Sequence, residues 1–193
     1  MQAILFDVDG VLINAPQWSD EYCRRSGISP TIMRPFFQWI FQDCILGKAD
    51  MKESLSPFLR EWWWTGTVEE YLHEWFDFEN QPDMRLIEAI QKLRHSGIKC
   101  YIATNQERYR LDYLRKSMWF ESFFDGIFSS CEMGMKKPES SFYQYCTHSL
   151  WVPAHDILYF DDAGENIDSA KTLWIQSVLY RDLEDFTITL HRA

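Results

Sequence analysis

Short apolar runs that alternate with helical spacing restrict this chain to very few folds. The runs Ala3–Phe6, Ile98–Ala103, Gly126–Phe128, Ile157–Phe160 and Ser177–Tyr180 are too brief for helices and suit buried strands. Between them, Leu86, Ile87, Ile90 and Leu93 share one helix face, with Gly97 placed as a C-terminal stop. Phe142, Tyr145 and Cys146 mark a second helix, and Ile167, Ala170 and Leu173 a third. This alternation predicts an α/β fold built on a doubly wound parallel sheet. Such sheets bind ligands beyond the C-terminal ends of their strands. The residues that follow each run are therefore the candidates for chemistry.

Residues 14–81 break the alternation. No strand-like run occurs there, but helix signals do. Ser29-Pro30 fits an N-cap with proline at the first helical position, and Thr67-x-x-Glu70 is a capping box, with Asp50-x-x-Glu53 a looser version. Gly27, Gly47 and Gly66 stand where helices should stop. A bundle of about four helices is expected, inserted after the first strand, between core segments 1–13 and 82–193. It holds six of the nine tryptophans, and its six Lys and Arg face eleven Asp and Glu. Its aromatics are expected to fill the bundle core, with Trp18 the one placed to overhang a site at the first strand end.

The composition, 46% hydrophobic and 25% charged with 8 Gly and 7 Pro, excludes a fibrous or mainly disordered chain. No apolar run approaches the roughly 20 residues of a membrane span. The opening residues carry no basic flank before Asp7, so no secretory leader and a cytoplasmic location are expected. A net charge of -10 disfavours nucleic acid and anionic membranes as partners. The odd count of 5 cysteines, with no CxxC, reads as reduced, mostly buried thiols without zinc. The five histidines form no ligand spacing.

Four strand ends carry reactive residue types. The first run ends in Asp7-Val8-Asp9-Gly10, two carboxylates able to share a metal or to divide nucleophilic and acid–base roles. The second ends in Thr104-Asn105, a hydroxyl and an amide able to hold phosphate oxygens. After the third come Lys136-Lys137-Pro138, and the fourth ends in Asp161-Asp162, adjacent acids that could complete a hard-cation site. Each alone is an ordinary turn or helix cap. Acid, hydroxyl, lysine and acid in this order, all at the ligand edge of one sheet, are far more specific.

These residues resemble the four motifs of the haloacid dehalogenase-like (HAD) hydrolase superfamily. They correspond to Asp7-Val-Asp-Gly-Val11, Thr104-Asn105, Lys137-Pro138 and Asp161-Asp162. The stretches Ser129–Tyr145 and Tyr159–Lys171 are similar to the subgroup with bacterial glucose-1-phosphate phosphatases and epoxide-hydrolase N-terminal phosphatases. The resemblance covers residues 1–13 and 82–181 and implies a Rossmann-like core with an inserted helical cap. It implies a Mg2+-dependent phosphatase acting on a small phosphorylated metabolite, with sugar phosphates favoured by subgroup. Asp7 would be the nucleophile that forms an aspartyl-phosphate, and Asp9 the general acid and base. Thr104 and Asn105 would hold the phosphoryl oxygens, and Lys137 would neutralise nucleophile and phosphate. Mg2+ would be held by Asp7, the backbone carbonyl of Asp9 and Asp162, with Asp161 acting through water. The charges demand such help, because like charges about 4 Å apart repel by roughly 4 kcal/mol at an effective dielectric near 20.

Asp9 separates the alternatives. The family's dehalogenases lack an acid there, so carbon–halogen hydrolysis is disfavoured. Imine chemistry would need a cap lysine, and Lys48 and Lys52 carry no distinguishing signal. A sugar-phosphate mutase shares the whole core and stays open. A non-catalytic binding protein of the same fold would be expected to have lost Asp7, Lys137 or a late acid, and all are present. Asn166 and Asp168 stand where they could brace the last loop. The one departure is Trp174, where the family pattern after Leu173 has glycine.

Overall fold

In the computed structural model, which describes residues 1–192, the five apolar runs form one wholly parallel sheet of order β3-β2-β1-β4-β5. The strands are β1 (Ala3–Phe6), β2 (Lys99–Thr104), β3 (Gly126–Ser129), β4 (Ile157–Asp161) and β5 (Gln176–Leu179). The middle strand, β1, registers Ala3 against both Lys99 and Ile157, and all four of its residues are buried. Its side chains alternate between two cores, as strand geometry requires. Ile4 and Phe6 pack with Leu86, Ile90 and Phe160, whereas Ala3 and Leu5 pack with Phe142, Tyr143 and Ile167.

The helices α1 (Trp18–Ser26), α2 (Pro30–Pro35), α3 (Phe41–Ile45), α4 (Met51–Leu59) and α5 (Val68–Phe78) all lie between β1 and β2. They are followed there by α6 (Met84–His95). After β2 come α7 (Arg108–Lys116) and α8 (Phe120–Phe123), and after β3 come α9 (Ser130–Met133) and α10 (Ser140–Leu150). Helix α11 (Gly164–Thr172) joins β4 to β5, and α12 (Leu183–Arg192) closes the described chain. The sequence carried no recognisable signal beyond Tyr180. Yet α12 belongs to the core: Phe186 is buried, with its ring centroid 5.9 Å from that of Phe6 and 5.1 Å from that of Phe160. Ala193, the last residue assigned to the core by sequence, lies outside the described residues.

The inserted helices have a core of their own, built round Trp18, Phe36, Leu55, Trp62 and Tyr71. Their caps follow the sequence signals. Ser29 accepts from Thr31 N–H, Asp50 accepts from the N–H groups of Lys52 and Glu53, and Thr67 and Glu70 exchange both capping-box bonds. Gly27 ends α1 with φ +78. Gly66 is different, because α4 ends at Leu59 and Gly66 instead precedes α5. Pro35 has no N–H with which to extend α2, and the chain widens into a π-helical turn over Phe36–Ile40 before α3. The stretch 30–45 thus runs as one helix, which brings the number of helical rods to the expected four.

The cap is seated on the core by polar contacts at one edge. Ser130 Oγ donates to the Ile45 carbonyl at 2.7 Å, Tyr109 Oη to Asp50 at 2.7 Å, and Lys136 Nζ to Gln42 at 2.6 Å. No helix among the described residues is long and apolar enough to cross a membrane.

Candidate active site

The strand order reverses between β1 and β4, and the acids converge there. Asp7 directly follows β1, and its N–H donates to the Phe160 carbonyl of β4 at 2.9 Å. Lys137 comes from the loop before α10. Its Nζ lies 2.7 Å from Asp7 Oδ1 and 2.7 Å from Asp161 Oδ2. All three groups are buried. Gly10 makes room for the fourth: a Cβ there would stand 2.2 Å from Asp162 Oδ2, and its φ of +80 suits glycine. Asp162 is exposed, on the rim of the group.

Asp161 is held from several sides. It accepts from Lys137, from Tyr159 Oη, from Asn166 Nδ2 at 2.9 and 3.0 Å, and from Ala163 N–H at 2.8 Å. Asn166 thus braces this loop as its spacing suggested, whereas Asp168 is exposed. Thr104 is buried at the end of β2. The side chain of Asn105 bonds the backbone of Lys137 in both directions, accepting from its N–H and donating to its carbonyl at 2.9 Å each. Its amide therefore fixes the lysine, and this contact was not anticipated. Also unanticipated is Gln106, whose Nε2 donates to Asp9 Oδ2 at 2.6 Å and reaches Thr104 Oγ1 at 3.3 Å. A glutamine after a strand carries no distinctive spacing, so only the fold reveals this contact. Lys136 turns away to the cap, which identifies Lys137 as the lysine among the acids.

Burial pushes the Asp7 carboxyl upward; Lys137 opposes this, and the neighbouring Asp161 and Asp9 charges add to it. Burial would also raise Asp161, but Lys137 and the bonds from Tyr159 and Asn166 outweigh it and hold the carboxyl low. Lys137 itself is raised, since the two carboxylates more than compensate its burial. Asp162 is raised by burial and by the Asp161 charge. One ammonium thus serves three acids, leaving a local excess of negative charge. One carboxylate oxygen from each of Asp7, Asp161 and Asp162 lies within 4.8 Å of the other two. An all-oxygen donor set with surplus negative charge fits a hard divalent cation such as Mg2+. The Asp9 carboxylate is not part of this cluster; it turns toward Gln106.

A cavity of about 500 Å3 opens beside Asp9, between core and cap. Trp18 forms part of its wall but is fully buried among Tyr22, Tyr71 and Phe78. The cap aromatics thus divide between the bundle core and the cavity wall. The described cysteines are free, and the acidic cluster is the one candidate metal group among the described residues.

The chain is similar to known proteins in three respects. Residues 1–173 match the family model of haloacid dehalogenase-like hydrolases. A sesquiterpene phosphatase from Aspergillus oryzae is 30% identical over 93 residues, covering 48% of this chain and 47% of that protein. The chain thus spans about half the length of that relative, and it spans about a fifth of the next ones. A phosphorylated carbohydrates phosphatase from Thermotoga maritima is 23% identical, over 92% of this chain and 84% of that protein. In three dimensions an HAD family enzyme from Bacteroides thetaiotaomicron, solved as a magnesium complex, superposes with a TM-score of 0.84 and 21% identity. That match covers 100% of this chain and 99% of the other. With nearly nine-tenths of its length matched by the family model, this chain belongs to the haloacid dehalogenase-like hydrolases.

Proposed function

We propose that the chain is a Mg2+-dependent phosphatase of small phosphomonoesters that works through an aspartyl-phosphate on Asp7. The observation that carries this reading is the position of Lys137 Nζ, 2.7 Å from both Asp7 and Asp161, at the strand ends where the sheet order reverses. The protein contacts of the Asp7 carboxylate fall on Oδ1, from Lys137 and Val8 N–H, which leaves Oδ2 for attack on phosphorus. As the P–O bond to the alcohol breaks, Asp9 gives its proton to the leaving oxygen. Asp9 then takes a proton from the water that attacks the phosphorus of the aspartyl-phosphate, and Asp7 is released as a carboxylate. Gln106 holds Asp9 at the mouth of the cavity for both steps. The Thr104 hydroxyl and the loop around Asn105 border the phosphoryl site, and Lys137 balances nucleophile and phosphate charge.

Asp7, the Asp9 carbonyl and Asp162 would hold Mg2+, with Asp161, whose oxygens already accept protein donors, acting through water. When bound, the ion lowers the repulsion between nucleophile and phosphate and polarises the phosphoryl group. The Mg2+ complex of the Bacteroides enzyme, and its complex with magnesium and inorganic phosphate, support the same occupants here.

The test is hydrolysis of p-nitrophenyl phosphate with Mg2+ and with EDTA, beside Asp7→Asn. Metal-dependent turnover that disappears in the variant is the expected result. Undiminished turnover by Asp7→Asn overturns the assignment of the nucleophile, and undiminished turnover in EDTA overturns that of the metal. The relatives are named for alcohols as different as carbohydrates and sesquiterpenes, so the leaving group has to be read from this chain's own cavity.

A further inference from the structure

The cavity beside Asp9 is the place where the alcohol of a phosphomonoester would sit. Any statement about that alcohol rests on the phosphatase reading and deepens it. Much of the wall is polar, and most of its polar groups already have partners inside the protein. Gln42 donates to the Phe37 carbonyl and accepts from Lys136, and Asn105 exchanges two bonds with Lys137. Gln106 holds Asp9, and Glu107 accepts the N–H groups of Tyr109 and Arg110.

The uncommitted groups gather in one corner, built by α5, the residue that follows it and α7. Arg110 is 3% exposed, and its Nη1 donates to the Phe76 carbonyl at 3.1 Å. Its Nη2 is buried, 3.5 Å from Glu79 Oε2, and has no hydrogen-bond partner among the described residues. Glu79 Oε1 accepts from Trp18 N–H at 2.9 Å, whereas Oε2 accepts no hydrogen bond among the described residues. Trp75 Nε1 is also buried and unpartnered. Burial raises the Glu79 carboxyl against Arg110 and the Trp18 N–H; the Asp9 charge adds to the rise, and the Trp75 indole N–H opposes it. Glu79 thus lies within reach of both the Trp75 donor and the Asp9 charge. The third unpartnered donor on the wall, Trp18 Nε1, lies beside the Tyr71 hydroxyl instead. Buried donors without partners are costly, and a ligand that supplies acceptors removes the cost.

Charge decides what kind of group this is. A carboxylate or a second phosphate would meet Arg110 but also Glu79, with Asp9 and Glu107 on the same wall. An ammonium would meet Glu79 but also Arg110. At similar distances attraction and repulsion cancel, so the pair draws in no net charge. A hydroxyl suits both members, because it accepts from Nη2 and gives its own proton to Oε2. Trp75 Nε1 offers a second donor to the same oxygen or to a neighbouring one. We infer that Arg110, Glu79 and Trp75 are the specificity-determining residues of the site and receive a hydroxyl on the alcohol part of the substrate. That alcohol is neutral and carries at least one hydroxyl besides the esterified one. Selection comes from the penalty on analogues: an alcohol without this hydroxyl excludes water from the corner and leaves its polar groups unpaired.

The experiment compares three primary six-carbon monoesters, sorbitol 6-phosphate, hexyl phosphate and 6-phosphogluconate. p-Nitrophenyl phosphate is run beside them as a general reporter. The kcat/KM of sorbitol 6-phosphate should exceed that of hexyl phosphate by at least about a hundredfold, and that of 6-phosphogluconate by at least about tenfold. Hexyl phosphate equal to sorbitol 6-phosphate, 6-phosphogluconate ahead of it, or no turnover of any of the three overturns the inference. Turnover of p-nitrophenyl phosphate beside such a result leaves the phosphatase reading standing, and its failure as well removes both. Glu79→Gln checks the location: its oxygen still serves the Trp18 N–H, but a donor now stands where Oε2 accepted. The ratio of sorbitol 6-phosphate to hexyl phosphate should fall at least about tenfold, whereas a merely structural change lowers both esters alike. Trp75→Phe removes the N–H, keeps an aromatic ring and should lower the same ratio about threefold or more. Ratios unchanged in both variants place the hydroxyl elsewhere and overturn the inference.

Discussion

The carbonyl oxygen of Cys131 fills the space that a side chain at Gly47 would need: a Cβ there would lie only 2.2 Å away. The contact joins the cap, just after α3, to α9 in the core. Gly47 also has φ +67, a conformation that costs other residues roughly 1–2 kcal/mol. Gly47→Ala must therefore lift this edge of the cap, and kcat/KM should fall at least tenfold. Gly27→Ala is the control, since φ is +78 there but nothing lies within 4 Å. It should lose stability and keep its activity. Equal activities for the two variants would show that cap seating does not depend on the Gly47 contact.

Gln106 orients Asp9 through a bond of 2.6 Å and is itself anchored by Ser130 Oγ, which accepts from its N–H at 3.0 Å. Gln106→Leu keeps the bulk and removes the donor. A general acid displaced by about 1 Å loses on the order of a hundredfold in rate. The loss should appear in kcat with little change in KM, because the glutamine acts through Asp9. A variant with normal kcat would mean that Asp9 is positioned by other groups.

The oxygen cluster of Asp7, Asp161 and Asp162 predicts a readout independent of turnover. A cation that binds only the folded chain stabilises it by about 2.7 kcal/mol at a hundred times its Kd. For a chain of this size that is an increase in Tm of roughly 5–10 °C. Thermal unfolding in EDTA and in excess Mg2+ should show the difference, and Asp162→Asn should abolish most of it. A Tm that ignores Mg2+ in the wild-type chain would leave the acids without a cation.

The strands were legible because each is an apolar run flanked by turn residues, and the four reactive strand ends because their order along the chain is unusual. Helix α12 was not legible. Its decisive residue, Phe186, gains meaning only from Phe6 and Phe160, which are far from it in sequence. Gln106 and the reciprocal bonding of Asn105 to Lys137 were hidden for the same reason. A polar side chain declares its partner only when the fold brings that partner near. The cap aromatics were ambiguous at a different level. Helical spacing assigns a ring to the inner face of a bundle, but whether that face meets another helix or a cavity depends on how the cap sits.

Glu107 gives a pH dependence whose sign can be fixed. Burial raises its carboxyl from 4.5 to about 7, against the N–H groups of Tyr109 and Arg110 that it caps. The folded chain therefore holds this proton more tightly than the unfolded one. The contribution to stability is fully present below about pH 4.5 and is lost as the pH rises to about 7. Its full size is on the order of 3 kcal/mol at 1.36 kcal/mol per pKa unit. Glu107→Gln keeps the capping oxygen and removes the titration. Urea unfolding in EDTA at pH 5, 6 and 7 should show the variant gaining on the wild type by 1–3 kcal/mol, following the same arithmetic. A difference that does not change with pH would mean that Glu107 titrates alike in both states.

Trp174 stands where the family pattern has glycine, and its backbone shows what the glycine was for: φ is +65, in the left-handed region. The turn from α11 into β5 needs this conformation, and a tryptophan pays for it in strain of roughly 1–2 kcal/mol. Packing returns little, since the side chain is 81% exposed. Against the relief stands the larger backbone entropy of glycine in the unfolded chain, about 0.5–1 kcal/mol. Trp174→Gly should therefore stabilise the protein by roughly 0.5–1 kcal/mol, an increase in Tm of about 1–4 °C. Trp174→Ala separates the two effects, because it removes the ring and keeps the strain, and it should leave Tm near the wild-type value. Stabilisation by alanine equal to that by glycine would assign the cost to the exposed ring and not to the backbone.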